Sequence, residues 1–282
     1  MNDTLIIENE RLEIQLLLEA IYLKYGHDFR SYAFTHTKRR LEHRRSIEGF
    51  KNFSEMQHRV IYDEAFFNSL LLDLSINVTE MFRDPWFYKR IRDVVLPHLK
   101  TYPYAKVWHA GCSAGQEVYS MCILLEEEGM DDRVQVYATD FNELILQKAK
   151  DGIYPMDLVR DYTANYQKAG GLRSFSDYYS ADYDNVIMKR SLKDHVLFSS
   201  HNLVTDGVFG EMNVIFCRNV LIYFNKELQN RVLQLFWDSL CPGGFLCLGS
   251  KESLRFSSVA DKFDVVSERE KIYRKKRSPS TL

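Results

Sequence analysis

The feature that most constrains this chain is an alternation of short apolar runs with helical stretches from about residue 107 onward. The apolar runs are VWHAGC, VQVYATD, VLFSSHNL, MNVIFCRNV and GFLCLGS, and the pattern between them predicts helices from about residue 116, over 143–150 and over 226–240. Two parallel strands need a long crossover between them, which is usually a helix. The alternation therefore predicts an α/β fold with a mostly parallel sheet and helices on both faces.

The amino-terminal quarter has a different pattern, which is helical and shows no strand signal. Its apolar residues recur at spacings of four and three, and Gly26 stands where the first helix should end. The stripe that defines this helix consists of Leu12, Leu16, Ala20 and Leu23. We therefore expect an all-helical domain over residues 1–75 and a second domain over residues 76–282.

Two shorter signals lie in the second domain. Asp84 and Pro85 predict a sharp helix start, with Asp84 as a side-chain cap, and this helix should run to about Leu99. Residues 172–194 are polar and aromatic by turns, and the pair Asp184 and Asn185 offers a tight turn. That segment is predicted to form a small inserted antiparallel β-subdomain.

Composition and charge exclude several classes of protein. The 282 residues are 45% hydrophobic, and 37 lysines and arginines nearly balance 39 acidic residues, so no overall field favours nucleic acid or an anionic membrane. The acidic start, MNDTLIIENE, is unlike a signal peptide, no apolar run reaches membrane-spanning length, and the five cysteines form no CxxC pair. We expect a cytoplasmic protein without membrane insertion and without a metal site.

The turn after the first strand is the best candidate for a ligand site. Ligands of open parallel sheets bind beyond the carboxyl ends of the strands, and Gly111 and Gly115 frame this turn. Their spacing is GxxxG rather than the GxGxxG of dinucleotide sites, and the carboxylate of Glu117 would repel a phosphate. Asp140 ends the next strand, where an acidic residue commonly accepts hydrogen bonds from a ribose.

These residues favour a nucleoside that also carries a cationic group. A carboxylate suits an ammonium group or ribose hydroxyls, so S-adenosylmethionine fits Glu117 and Asp140. The alternative is a structural glycine turn beside two solvated carboxylates, and these residues by themselves leave both interpretations open.

Four sequence blocks stand out together by their order and spacing: NVTEMFRD at 77–84, AGCSAGQEVYS at 110–120, FSSHNL at 198–203 and CRNVLIYF at 217–224. These blocks resemble the CheR-type chemoreceptor glutamate methyltransferases, and the resemblance covers nearly the whole chain. The resemblance implies a helical amino-terminal domain joined to a Rossmann-like class I S-adenosylmethionine-dependent methyltransferase domain, which carries a small antiparallel subdomain. It also implies that S-adenosylhomocysteine is the product. Gln116 departs from the family pattern, since it replaces the first glutamate of a pair.

By this resemblance the cofactor contacts carry over to residues in all four blocks and at the second strand end. They are Asn77, Thr79, Arg83, Glu117, Asp140, Asn202, Leu203, Arg218 and Asn219. The glycine turn itself adds Gly111 to the cofactor-binding residues, because a missing side chain lets a ligand approach the main chain. Tyr223 occupies the position of a family tyrosine that faces the methyl-transfer site.

Methyl transfer to a carboxylate needs orientation rather than a general base, because a glutamate is already ionised at neutral pH. We expect Arg83 and Tyr223 to orient the reacting groups, the first by charge-assisted hydrogen bonds and the second by its hydroxyl. Two other interpretations stay open. Arg83 is equally suited to hold the carboxylate of the cofactor, and Tyr223 to be a core aromatic residue.

A basic segment within residues 30–45 is the candidate docking surface for an acidic substrate. Its docking residues are Lys38, Arg39, Arg40, Arg44 and Arg45. The substrate implied by the family is the glutamate-rich helical bundle of the chemoreceptor cytoplasmic region, which a basic helix would attract. A solvated charged helix is the alternative. Nucleic acid is a third, although no zinc spacing or RNA-binding signature accompanies the segment.

Three functions are therefore open. The first is methylation of receptor glutamates in chemosensory adaptation, the second a catalytically silent cofactor-binding module in a signalling complex, and the third a methyltransferase that acts on a small molecule. The retained motif residues favour an active enzyme, and the basic segment favours a protein substrate. We expect the protein to be a monomer.

Overall fold

The computed structural model describes residues 3–75 and 79–277, with side chains from residue 8 onward. The chain divides into two compact units. The helical unit comprises Met1–Ile76 with Ile222–Gln229, and the α/β unit comprises Asn77–Leu221 with Asn230–Leu282. The domain boundaries expected from the sequence stay a prediction.

The helical unit is built from helices of 10 to 23 residues. They are α1 (Asp3–Tyr25), α2 (Phe34–Glu48), α3 (Phe53–Tyr62) and α4 (Glu64–Leu74). Gly26 ends α1 as predicted, in the left-handed conformation at φ +77°, and its amide donates to the carbonyl of Tyr22. The side chain of Asp63 caps α4 by accepting from the amide of Phe66 at 2.9 Å.

Helix α1 carries two apolar faces, and the one that the sequence pattern singled out is the exposed one. Leu12, Leu16 and Leu23 are 53%, 48% and 74% exposed. The face packed in the core of the unit consists of Ile14, Leu17, Leu18 and Ile21. Both stripes have helical spacing, so periodicity identifies the helix but not its buried side.

The segment Ile222–Gln229 belongs to the helical unit through backbone pairing. Tyr32 and Phe224 form an antiparallel bridge, the amide of Ala33 donates to the carbonyl of Tyr223 at 2.8 Å, and the amide of Asn225 donates to the carbonyl of Ser31 at 3.0 Å. These bonds tie a segment that follows a strand of the α/β unit to the loop before α2.

The α/β unit contains both sheets of the protein. Its strands are β1 (Ala105–Ala110), β2 (Val134–Asp140), β3 (Ile153–Pro155), β4 (Tyr179–Asp182), β5 (Asn185–Met188), β6 (Val196–Ser200), β7 (Met212–Cys217), β8 (Leu240–Leu248), β9 (Phe263–Ser267) and β10 (Ile272–Lys275). Its helices are α5 (Pro85–Arg90), α6 (Leu96–Leu99), α7 (Gln116–Glu127), α8 (Glu143–Asp151), α9 (Val159–Lys168) and α10 (Arg190–Lys193), and α11 (Lys226–Ser239) begins in the segment that groups with the helical unit. A π-helical turn, Ile91–Val95, joins α5 to α6.

The larger sheet has the strand order β6-β2-β1-β7-β8-β10-β9. Strands β6, β2, β1, β7 and β8 run parallel, and β10 pairs antiparallel with β8 and β9. The chain leaves β1 toward β2 on one side and later returns to β7 on the other. The order therefore reverses between β1 and β7, and this switch point is where open α/β sheets bind their ligands.

The centre of this sheet is completely buried. Val107, Trp108 and His109 on β1 are each 0% exposed, as expected for a strand that is covered on both faces. The indole of Trp108 satisfies its one donor by a 2.9 Å hydrogen bond to the hydroxyl of Thr139 on β2. Five parallel strands and an antiparallel edge confirm the α/β fold class predicted from the alternation.

The smaller sheet has the order β3-β5-β4 and is antiparallel throughout. The predicted segment 172–194 contains β4 and β5 but not β3, since a strand of three residues that ends in a proline leaves almost no sequence signal. The predicted turn at Asp184 and Asn185 was wrong by one residue. The loop consists of Tyr183 and Asp184, with Tyr183 at φ +49°, and Asn185 already pairs with Asp182.

A buried carboxylate joins the smaller sheet to the rest of the unit. The side chain of Glu127 on α7 is 0% exposed and accepts hydrogen bonds from Arg92, from the hydroxyls of Tyr166 and Tyr178 and from the amide of Leu172. Burial would raise the pKa of Glu127, but these donors outweigh it and lower the pKa below the ordinary value. Glu127 therefore stays ionised and fixes the segment that leads into β4.

In residues 3–75 and 79–277, no helix is both long enough and apolar enough to cross a membrane.

Candidate active site

The candidate site lies at the carboxyl ends of β1, β2 and β7. The turn after β1 begins at Gly111, which is in the left-handed conformation at φ +75°. A Cβ atom there would lie 2.8 Å from a methyl group of Val220, in the segment after β7. The amides of Gly111 and Cys112 both donate to the carbonyl of Thr139 on β2 at 2.8 Å. Only glycine allows the three strand ends to approach each other this closely.

Asp140 ends β2 and is held by the backbone on both oxygens. Its carboxylate accepts from the amide of Ser113 at 2.9 Å and from the amide of Asn142 at 3.0 Å. The residue is only 8% exposed, and this burial raises the pKa of Asp140 above its ordinary value despite the amide donors. A buried carboxylate with unused lone pairs is a strong acceptor for further hydroxyl donors.

The residues around Asp140 fit the adenosyl part of S-adenosylmethionine. The hydroxyl of Ser113, whose backbone lies at φ +51°, is buried and has no hydrogen-bond partner within residues 3–75 and 79–277. An orphaned donor beside a carboxylate matches the paired donor and acceptor character of a ribose diol. The absent side chain at Gly111 leaves the main chain accessible to the same ligand.

Glu117 stands in the first turn of α7 and binds His109 on β1. Its Oε1 lies 3.0 Å from Nδ1 of His109, whose ring stacks on Phe216 of β7 at 4.5 Å between centroids. Because an ionised carboxylate can only accept a hydrogen bond, Nδ1 of His109 is the donor to Glu117, and the other ring nitrogen, Nε2, is buried with no hydrogen-bond partner among the described residues. Burial would raise the pKa of Glu117, but the His109 hydrogen bond and the charge of Arg218 outweigh it and lower the pKa.

Arg218, directly after β7, donates hydrogen bonds to three groups in two distant segments of the chain. Its guanidinium donates to Glu117 at 3.2 Å, to Asp84 at 2.6 Å and to the carbonyl of Arg83 at 3.3 Å. The side chain is 2% exposed and lies 3.9 Å above the ring of Phe87. We call Arg218, Glu117 and Asp84 the arginine clasp.

The structure corrects the predicted role of Asp84. It precedes α5 as expected, but at φ +58° its side chain makes no capping hydrogen bond. The carboxylate instead points to Arg218, because a charge-assisted bond to a buried guanidinium is stronger than a bond to a helix amide.

Residues 81–84 are fixed in an unusual backbone conformation. Phe82 and Asp84 both have positive φ, at +53° and +58°, which is costly for residues other than glycine. The amide of Phe82 donates to the hydroxyl of Ser120 on α7 at 2.9 Å, and Asn165 on α9 donates to the carbonyl of Met81 at 3.2 Å. These bonds and the arginine clasp hold Arg83 at the switch point of the sheet.

A second buried carboxylate, Glu252, organises the backbone after β7 and β8. It accepts from the amides of Asn219 and Val220 at 2.9 Å each and from the amide of Gly249 at 2.6 Å. Asn219 lies in the left-handed conformation at φ +62°. Three amide bonds to one carboxylate therefore set the shape of the loop that carries Asn219.

Asn202 and Leu203 follow β6 at the same edge of the sheet. The side-chain oxygen of Asn202 accepts from the amide of Val204 at 3.0 Å, its own amide donates to Asp206 at 2.9 Å, and Leu203 is 7% exposed. The amide of His201 donates to the carbonyl of Asp140 at 3.2 Å, which places this turn beside the end of β2.

The remaining predicted site residues are placed as follows. Thr79 and Arg83 are half-buried, and Asn77 lies outside the described residues. Tyr223 belongs to the helical unit, where its ring meets the ring of His36 edge-on at 5.6 Å.

Most of the basic side chains on α2 have partners within the helical unit. Lys38 pairs with Glu10 and Glu42, Arg44 with Asp73 and Glu48, Arg40 donates to the carbonyl of Asp73, and Arg45 lies over the ring of Phe53. Arg39 is exposed. Fewer basic side chains of α2 are therefore available to bind a substrate than a count of its charges suggests.

Sequence patterns did not predict the site roles of four residues. They are Asp84, as the partner of Arg218, and His109, Ser113 and Glu252. A histidine inside the apolar run VWHA is a signal, since a buried imidazole needs a hydrogen-bond partner. Glu252 stands in GSKESL, after the last parallel strand, but nothing local indicates that it binds amides more than 30 residues away.

Comparison with known proteins agrees with this geometry. The family model described as "CheR methyltransferase, SAM binding domain" matches residues 77–272, and "CheR methyltransferase, all-alpha domain" matches residues 12–75. The chain is 52% identical over 267 residues to Cher3 of Pseudomonas putida, which covers 95% of this chain and 98% of that protein. It is 28% identical to a chemotaxis protein methyltransferase of Borreliella burgdorferi, over 86% and 88% of the two chains.

Among solved structures, the N-methyltransferase NodS of Bradyrhizobium japonicum in complex with S-adenosylhomocysteine matches at 12% identity with a TM-score of 0.32, over 60% of this chain and 62% of NodS. That likeness is too distant to bear on substrate or mechanism. The two family models together span most of the sequence, and the residues at the switch point suit the cofactor that the larger model names. This chain is thus a member of the CheR methyltransferase family, with an all-helical amino-terminal domain, a Rossmann-like methyltransferase domain and S-adenosylmethionine as its cofactor.

Proposed function

We propose that the protein methylates glutamate side chains of chemoreceptors and forms glutamate methyl esters in chemosensory adaptation. The observation that carries the proposal is the match of the all-helical CheR domain over residues 12–75, because this domain lies outside the cofactor-binding match and adds a basic helix to it. Relatives such as the Borreliella burgdorferi protein are named chemotaxis protein methyltransferases. Because the proposed substrate is the cytoplasmic helical bundle of a receptor, the enzyme would work in the cytoplasm. We also propose that it is a soluble monomer.

The reaction is an in-line displacement. When bound, S-adenosylmethionine supplies a methyl group on a positively charged sulfur. The ionised glutamate oxygen forms the new carbon–oxygen bond, the carbon–sulfur bond breaks, and its electron pair stays on the sulfur of the product. No proton moves, so alignment and exclusion of water supply the rate enhancement rather than a general base.

Some residues of this chain would bind the cofactor, and others would orient the reacting groups. Asp140 would accept hydrogen bonds from the ribose. Gly111, which has no side chain, would allow the ligand to approach the main-chain atoms of the turn. Arg83 lies between two residues in the left-handed conformation, which fixes the position of its backbone. Its guanidinium would bind a carboxylate of the substrate or of the cofactor from that position. We further propose that Tyr223 orients the reacting carboxylate through its hydroxyl.

The test is transfer of radiolabelled methyl groups to purified receptor cytoplasmic fragments. Methyl esters are released by mild alkali, whereas methyl groups on nitrogen are not, so the expected result is alkali-labile label on the fragment. Two controls fix the interpretation: the Asp140→Ala enzyme should transfer little, and a fragment with its methylated glutamates changed to alanine should accept little. Alkali-stable label, or equal label on the alanine fragment, would refute the proposal.

The docking part of the proposal is best tested at Arg39, which is exposed. Charge reversal at Arg40 or Arg44 would also break internal bonds to Asp73 and would confuse docking with folding. Arg39→Glu should raise the KM for the receptor fragment several-fold at low salt and leave cofactor affinity unchanged. Arg190→Glu, on a 93% exposed side chain in α10, is the matched control.

A further inference from the structure

The loop after β8 ends in a turn that exposes an aromatic side chain in an unfavourable backbone conformation. Phe256 is fully exposed, at 103% of its reference area, and has φ +66°. A bulky residue in the left-handed region is a genuine outlier, because its Cβ crowds the following carbonyl. Nothing in the described residues covers the ring, so packing in the fold does not explain its presence.

Two hydrogen bonds close this turn. The amide and the hydroxyl of Ser257 both donate to the carbonyl of Leu254, at 3.0 and 2.7 Å, which closes a tight turn with Arg255 and Phe256 at its corner. The positive φ falls on Phe256, the third residue of this turn. In a type II turn, this third position normally requires glycine or asparagine. Arg255 is also exposed, so the corner presents a cation beside an aromatic ring.

Both sides of the corner are anchored to the site and to the core. Leu254 and Val259 are 3% and 0% exposed, and the amide of Ser258 donates to Asn230 at 2.8 Å. Two residues before Leu254, the carboxylate of Glu252 binds the amides of Asn219 and Val220 in the segment after β7. The corner is thus tied, through a few residues, to the strand end that carries the arginine clasp.

Tyr183 provides an internal comparison. Among the described residues, Tyr183 is the other nearly fully exposed aromatic residue with positive φ, at 97% exposure and φ +49°. Its conformation is explained by the two-residue hairpin between β4 and β5, since such loops require positive φ. The turn closed by Ser257 likewise accounts for the positive φ of Phe256, but it does not account for a bulky apolar side chain beside an exposed Arg255 at a position that favours glycine or asparagine.

We infer that Arg255 and Phe256 form a substrate-contacting tip on the α/β unit, which holds an acidic helical protein against the mouth of the cofactor site. This inference rests on the proposed function for the identity of the substrate. The apolar ring suits the aliphatic surface of a helix and the guanidinium suits its carboxylates, which is the surface that a glutamate-rich receptor bundle presents. Exposed aromatic and arginine side chains are also the types that most often dominate protein interfaces.

The decisive variant is Phe256→Gly, because glycine relieves the backbone strain while it removes the ring. The variant should unfold at the same temperature as the wild type or higher, and bind S-adenosylhomocysteine with an affinity within about twofold of it. Its kcat/KM for a receptor cytoplasmic fragment should fall about tenfold through KM, which corresponds to about 1.4 kcal/mol of lost contact. Phe256→Tyr should keep near wild-type KM, and Tyr183→Gly is the matched control that should change none of these quantities.

A Phe256→Gly enzyme with wild-type KM, or a Tyr183→Gly enzyme with an equal defect, would overturn the inference. A wild-type enzyme that methylates no receptor fragment would refute the proposed function instead. In that case, direct binding of the acidic helical fragment to wild type and to Phe256→Gly still decides whether the tip contacts it, since equal affinities would overturn the inference.

Discussion

The arginine clasp makes a sharp prediction, because Arg218 joins two parts of the chain, Glu117 and the segment of Arg83 and Asp84, that are both more than 100 residues away from it. Replacing it by methionine keeps much of the side-chain volume over Phe87 and removes the charge. Glu117, with a side chain only 17% exposed, would then keep His109 as its hydrogen-bond partner but lose its counter-charge. Removing one partner of a buried ion pair costs about 3–5 kcal/mol.

The expected loss is smaller than that full range, for two reasons. The imidazole of His109 still binds Glu117, and the other carboxylate of the clasp, on Asp84, is 44% exposed and can return to water at little cost. We therefore expect Arg218→Met to lower the free energy of unfolding by about 2–4 kcal/mol. Arg218→Lys keeps the charge but cannot reach three acceptors with one ammonium, so its loss should be about 1–2 kcal/mol.

Urea unfolding followed by tryptophan fluorescence isolates the relevant unit. The three tryptophans, Trp86, Trp108 and Trp237, all belong to the α/β unit, so the helical unit does not contribute to the signal. Arg190→Met is the matched control, since Arg190 forms an exposed ion pair with Asp194, directly after α10, and its loss should cost less than about 0.5 kcal/mol.

The pH dependence gives an independent check on the cause. In the wild type the pKa of Glu117 is lowered, so its contribution to stability is present above the ordinary value of 4.5 and is lost as the pH falls. Without the charge and hydrogen bond of Arg218 the pKa of Glu117 would be higher than in the wild type, so part of the stability lost with Arg218 would return as the pH falls. The deficit of Arg218→Met should therefore shrink from about pH 7 to about pH 4. A deficit below about 1 kcal/mol at neutral pH, or one that does not depend on pH, would refute this account of the clasp.

Three further predictions concern the cofactor and the rate. Gly111→Ala should weaken S-adenosylhomocysteine binding at least about tenfold by calorimetry, because the new Cβ would meet Val220 and φ is positive there; unchanged affinity would show that the turn can relax. Burial raises the pKa of Asp140, so the ionised carboxylate destabilises the free protein above that pKa. The ionised carboxylate is also the form that accepts hydrogen bonds from the ribose hydroxyls. The stabilisation by S-adenosylhomocysteine in thermal unfolding should therefore decline as the pH falls from neutrality toward the raised pKa, and a constant shift would contradict the assignment. Tyr223→Phe should lower kcat with little change in cofactor affinity, since a bond made mainly in the transition state affects the rate; wild-type turnover would remove Tyr223 from the mechanism.

Local patterns in the sequence were sufficient for the architecture, and they also supplied candidates for the site. The alternation of apolar runs and helices specifies the parallel sheet, because each strand and helix leaves its own periodicity within ten or so residues. Gly111 and Asp140 were predicted from their positions at strand ends, since the carboxyl edge of a parallel sheet has a known use. The spacing of Leu12, Leu16, Ala20 and Leu23 correctly indicated a helix.

Only the tertiary structure decided which apolar face of α1 is buried, and what the charged residues of the site do. Glu117 and Arg218 are 101 residues apart in the chain, and Asp84 and Arg218 are 134 apart, so no local pattern could pair them. Asp84 has the sequence of a helix cap and becomes the partner of a buried guanidinium because folding brings a stronger donor within reach. The sequence alone determined the fold and the kind of ligand, while the ion pairs that hold the site together depend on which strand ends the sheet places side by side.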